Sequence, residues 1–112
     1  MPSETVIEIE GDLKFNSVDF PQMQDGNDIP PPESKIEMSC EDENALIDAW
    51  FTSEADKSGF PPPAAKVTRF LKGQPFLGTI AGMDFNVLVK SKLVLRNNGT
   101  SQGRWAIRIT LN

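Results

Sequence analysis

The sequence predicts a mainly β domain, an antiparallel barrel or sandwich of about seven strands with one short helix packed on it. Three observations carry this. Side chains alternate apolar and polar over several short runs, the period of strands with one buried face. Turn residues punctuate those runs at short intervals, as antiparallel connections require. Only one segment, just after residue 40, has helical spacing. At 112 residues the chain makes one domain, with an irregular proline-rich loop or arm at 19–34.

The elements follow in order. Val6–Glu10 alternates Ile7 and Ile9 with Glu8 and Glu10. Gly11-Asp12 reads as a turn, giving a hairpin with strands near 4–10 and 12–18. Residues 19–34 carry four prolines, a glycine and three aspartates. Pro30, Pro31 and Pro32 are stiff and extended and have no N–H for a ladder. Lys35–Cys40 is a strand, with Ile36, Met38 and Cys40 on one face. A helix is expected next, ending near 52–55. Ser39-x-x-Asp42 resembles a capping box, and Glu41, Asp42 and Glu43 suit a helix N-terminus. Leu46/Trp50 and Ile47/Phe51 are i,i+4 pairs on one stripe. A second triple proline, 61–63, closes this unit as a rigid loop. Strands are expected at 66–71, 76–81 and about 84–96, with a turn at 72–75, and a final strand at 104–111 after the loop 97–103. In this last hairpin Trp105, Ile107 and Ile109 fall on odd positions, while Lys90, Lys92, Arg96, Arg104 and Arg108 fall on even ones. One face is therefore apolar and the other basic. The expected core includes Leu46, Trp50, Phe51, Trp105, Ile107 and Ile109.

Composition excludes several chemistries. The chain has no histidine and one cysteine, which removes His-dependent nucleophiles, most zinc sites and an internal disulfide. Glu41–Glu43 point in different directions on a helix, and Asp25-Gly26-Asn27-Asp28 lacks the spacing of a calcium loop. Cys40 lies on an apolar face and reads as a small buried hydrophobe. No catalytic residue, metal or cofactor is expected, and the chain is read as not an enzyme. No run is long enough to span a bilayer. The acidic start is unlike a secretory signal, so no membrane is expected as a partner. Asn98-Gly99-Thr100 marks an exposed loop.

Charge is unevenly distributed. Residues 1–56 carry fifteen acidic and two basic side chains, residues 57–112 one acidic and nine basic. The balances, −13 and +8, make the net −5. Three readings stay open: neutralisation within the fold, head-to-tail association of oppositely charged faces, or a polyanion partner on the basic hairpin. Against the last, Phe85 and Trp105 sit on the apolar face and not between the charges, where base stacking needs rings.

The stretch K-I-E-M-S-C-E-D-E-N-A-L-I-D-A-W-F at 35–51, with a hairpin and long loop before it and antiparallel strands from Lys66 after it, resembles in layout the tail-tube family of contractile phage tails and the larger type VI secretion tube protein. The resemblance covers most of the chain and rests on no single motif. It implies homo-oligomeric rings that stack into a tube, other virion proteins as partners, and a location in the virion after assembly in the host cytoplasm. Nucleic acid enters only as lumen contents. On this reading a basic surface with Lys90, Lys92, Arg96, Arg104 and Arg108 meets an acidic first-half surface of a neighbour, and the loop at 19–34, with Asp25, Asp28 and Pro30, Pro31 and Pro32, reaches onto a neighbour. The alternatives are a monomeric, cytoplasmic binding module or adaptor, and an OB-like binder of single-stranded nucleic acid using the basic hairpin.

Overall fold

The computed structural model describes residues 5–21 and 29–111. Eight strands occur in the order β1 (Thr5–Leu13), β2 (Val18–Asp19), β3 (Lys35–Cys40), β4 (Ile47–Thr52), β5 (Thr68–Phe70), β6 (Phe76–Thr79), β7 (Lys92–Asn97) and β8 (Gly103–Leu111). A one-turn helix, α1 (Ile80–Met83), and a 3₁₀ turn at Val87–Val89 lie between β6 and β7. Two antiparallel sheets face each other, one ordered β1-β8-β3-β6 and the other β2-β7-β4-β5. The pairs β1/β8, β2/β7, β3/β6 and β4/β5 nest like one long hairpin. Pairing of β3 with β8 and of β4 with β7 rolls that hairpin over itself. This is the winding of a jelly roll, a two-sheet sandwich and not a closed barrel.

The core lies between the sheets. Ile36, Met38, Cys40, Trp105, Ile107 and Ile109 face it from one side, Ile47, Ala49, Phe51, Phe70, Leu93 and Leu95 from the other. The expected inward set of β8 is therefore the observed one. Gly11 is part of it: it pairs with Trp105, and a Cβ there would stand 2.9 Å from Trp105 Cζ2. A side chain at 11 would displace the indole.

Several expected elements differ, each for a physical reason. Gly11-Asp12 is not a turn, because β1 runs through it. The chain turns instead at Lys14–Ser17, where Ser17 N–H donates to Lys14 O and Asn16 takes a positive φ of 61°. The expected helix after residue 40 is absent. Its acidic start is a turn in which the Asp42 carboxylate accepts from Arg104 N–H at 2.6 Å, and the apolar stretch is β4, buried at every position. Ile47, Ala49 and Phe51 face the core. Trp50 points the other way beside Val94, its partner in register, and both are buried. Trp50 thus docks no helix. The 53–67 loop crosses this outer face, where its carbonyls at Glu54, Asp56 and Gly59 accept from Lys92 and Arg96. Leu46 is only half-buried, in the connection before β4. The expected strand at 66–71 shortens to β5, that at 76–81 to β6 followed by α1, and that at 84–96 to β7. Around Asp84, Oδ1 accepts from Asn86 N–H and the carbonyl from Val87 N–H, which coils the chain before β7.

Candidate interaction surfaces

The expected basic hairpin does not form as a hairpin, since β7 and β8 belong to different sheets. Its cations are divided accordingly. Lys92 lies on the outer face of the second sheet, bonded to the Asp56 and Glu54 carbonyls, with its ammonium 4.5 Å from the Phe20 ring. Arg96 donates to Gly59 O, Asn16 Oδ1 and Asn98 Oδ1, and its guanidinium stacks 4.2 Å over Phe60. On the first sheet, Arg104 pairs with Glu10 at 2.9 Å and Asp12 at 3.4 Å, and Arg108 with Glu8 at 3.6 Å. Lys90 ends the 3₁₀ turn before β7. No continuous basic stripe remains for a phosphate backbone.

Part of the charge asymmetry is met within the fold. Every ion pair among the described residues joins an acidic side chain of 1–56 to a basic one of 57–112: Asp48–Arg69, Glu43–Lys72 and the three on the first sheet. Strand pairing causes this, because β1 lies against β8 and β4 against β5. Asp48 is buried and accepts from Arg69 Nε and Nη2 and from Asn98 Nδ2, and it raises the Arg69 pKa further. The carboxyl of Asp56 is held below its ordinary range, chiefly by hydrogen bonds from the Ser58 backbone and hydroxyl and from Thr52. Burial pushes the Cys40 thiol up. Among the described residues no group of three His, Cys, Asp or Glu side chains is placed to hold a metal ion.

Among the described residues two surface features stand out. The outer face of the first sheet has a shallow depression of about 420 Å³, floored by Ser39 and Ala106 and walled by Glu8, Glu10, Glu37 and Arg108. Its carboxylates and guanidinium already face one another. The second feature is apolar. In the segment between α1 and β7, Phe85, Leu88 and Val89 are 92%, 82% and 76% exposed. Beside them Ile29, Pro30, Pro31 and Pro32 form one wall of a groove of about 440 Å³, with Val87, Leu88 and Lys90 opposite. Pro30–Pro32 is therefore no free arm: Pro30 is buried, and Ala81 and Ile80 N–H donate to Pro32 O and Ser34 O. Asp25 and Asp28 lie outside the described residues. The expected strand at 84–96 holds Val87 and Val89 two residues apart, on one face by alternation. Leu88 between them, an apolar side chain where alternation requires a polar one, was the available sign that this is no half-buried strand.

No protein-family model matches the chain, and no curated protein matches it. A solved structure described as "Bacillus endospore appendages form a novel family of disulfide-linked pili" is similar over 99% of this chain and 91% of its own, with 7% identity and a TM-score of 0.44. A likeness at that level carries no argument about this chain.

Proposed function

We propose that this chain is a structural protein that works by associating with copies of itself. The observation that carries this reading is the segment 85–89, which turns Phe85, Leu88 and Val89 to solvent together. Scattered exposed apolar residues are ordinary, but three large ones within five residues, beside an apolar groove, mark a protein contact. Several charges of the two halves pair inside the subunit, so on this reading charge is not the main drive to association. Apolar burial is.

A stacked-ring phage tail tube, located in the virion, is the particular assembly suggested by the layout of the sequence. It is retained as the specific form of this proposal, although the strand-and-helix unit at 35–51 is two strands. The proposal includes no catalytic step. A second reading, a monomeric module whose Pro30–Pro32 groove holds an extended peptide, is favoured by the same groove.

The test is the mass of the purified protein by light scattering across a wide concentration range, with negative-stain microscopy of the concentrated sample. Association is expected to rise with concentration. Replacing Phe85, Leu88 and Val89 together with Ser should return the protein to a monomer with an unchanged circular dichroism spectrum. A wild type that stays monomeric at the highest concentration sinks the assembly reading and leaves the peptide-binding module.

A further inference from the structure

The two edges of the first sheet are β1 and β6. Along the far side of each, the backbone N–H and C=O groups pair with no described strand. With four strands, all neighbours antiparallel, the edges run in opposite directions. A second copy set beside the first in the same orientation therefore brings its β1 against β6 as an antiparallel neighbour. No inversion of the subunit is needed, and the sheet continues unbroken.

The side chains at the two edges match. Ile7 and Ile9 on β1 and Phe76 on β6 face the core but are only partly covered, as the outermost members of a sheet are. On the opposite face Val6 and Leu77 are 40% and 66% exposed. Pairing Leu77 with Val6 of the next copy sets Phe76 against its Ile7 and Gly78 against its Thr5. That register covers an apolar residue with an apolar residue on both faces. It also follows the pleat, so nothing turns inside out.

The alternative closed dimer is disfavoured on β1. Beyond Val6 its outward row is Glu8, Glu10 and Asp12, and two antiparallel β1 strands that pair these residues would set carboxylate against carboxylate. The β6 strand, Phe-Leu-Gly-Thr, carries no charge. The acidic edge thus repels its own kind and tolerates β6.

We infer that copies of this chain join edge to edge, β6 of one to β1 of the next, in the register that pairs Leu77 with Val6. The contact is heterologous, so it propagates into a ring or a filament. The inference rests on the self-association proposed above and adds which strands meet.

Disulfide trapping tests it. Within one chain β1 and β6 are separated by three strand spacings, about 14 Å, too far for a disulfide whose Cα atoms stand roughly 4–7 Å apart. A bond between positions 6 and 77 therefore forms only between copies. Val6→Cys and Leu77→Cys are purified separately and oxidised mildly, alone and mixed, with wild type as the control for Cys40. Light scattering follows every sample. The expected result is a disulfide-linked dimer in the mixture, at least five-fold above either variant alone, and a ladder of multimers from the double variant. Two outcomes overturn the pairing while leaving self-association intact. One is wild type and variants that assemble without the mixed cross-link. The other is a single variant that cross-links to itself as well as the mixture does, which would mean a closed dimer. Wild type and variants that all remain monomeric remove the self-association reading itself, and the pairing with it.

Discussion

Asn97 is the side chain whose loss should cost this fold most among its polar residues. It is fully buried at the end of β7. Its Nδ2 donates to Leu13 O at 2.9 Å and Ser101 O at 2.9 Å, and its Oδ1 accepts from Leu46 N–H at 3.3 Å and Gly99 N–H at 2.9 Å. One amide thus ties the end of β1, the connection into β4 and the β7–β8 loop together. Each net bond is worth about 1 kcal/mol, and a buried partner left unpaired costs somewhat more. Water entering the space left by Asn97→Ala recovers part of that. The expected loss is about 3–5 kcal/mol, a large share of the roughly 5–15 kcal/mol that holds a domain together. Urea melts followed by tryptophan fluorescence measure it. Asn97→Asp adds a check on the reasoning. It puts an oxygen against the Leu13 and Ser101 carbonyls, so the folded state favours the protonated carboxyl and raises its pKa above the unfolded value near 3.9. A raised folded pKa gives stability that is present below the unfolded value and lost as pH rises. The deficit against wild type should therefore be smaller at pH 4 than at pH 7. A loss below about 1 kcal/mol for Asn97→Ala, or a pH-independent deficit for Asn97→Asp, would refute the hub.

Gly11→Val should force the Trp105 indole aside and cost about 1–3 kcal/mol, with a shift in tryptophan emission; an unchanged spectrum and melt would mean that the edge strand yields instead. Cys40 should react with an aromatic disulfide reagent in native buffer many-fold more slowly than in urea, because it is buried and its thiol pKa is raised; equal rates would place it at the surface. Asp56→Ala should loosen the 53–67 loop, seen as faster protease cleavage there. Because the folded pKa of Asp56 is depressed, its contribution is present above the unfolded carboxyl value and lost as pH falls through the folded one, so wild type and variant should converge in acid.

The strands with one clean buried face were legible in the sequence. Ile36, Met38 and Cys40, and Trp105, Ile107 and Ile109, face the core as alternation requires. The β4 segment was not, because its inner face meets the core while its outer face lies under the 53–67 loop. A strand buried on both sides loses its period, and Leu46/Trp50 and Ile47/Phe51 then imitate helical spacing. Gly11 illustrates a second limit. A glycine that makes room for an indole across a strand pair has the same local signature as one that turns the chain. The sheet assignment of β7 and β8 was illegible for a third reason. Their alternation is correct strand by strand, yet alternation says nothing about which sheet a strand joins.

That last point decides how the charge asymmetry is used. Had β7 and β8 paired as a hairpin, Lys92, Arg96, Arg104 and Arg108 would have formed one basic face requiring an external anion. The jelly-roll winding instead places β1, with Glu8, Glu10 and Asp12, against β8, and β4, with Asp48, against β5. Each exposed pair is worth only about 0–1 kcal/mol, so these pairs are not what stabilises the sandwich. Their effect is on pairing choice. Glu8 stands opposite Arg108 and Asp12 opposite Arg104 in register, and a slip of two residues would set Glu10 beside Arg108 but leave Asp12 opposite Ala106. A second β1 in place of β8 would set Glu8, Glu10 and Asp12 against a row that offers carboxylates and no cation. The same acidic row that fixes the partner of β1 within the subunit therefore also restricts what its open edge accepts from outside, and an uncharged strand such as β6 meets that restriction.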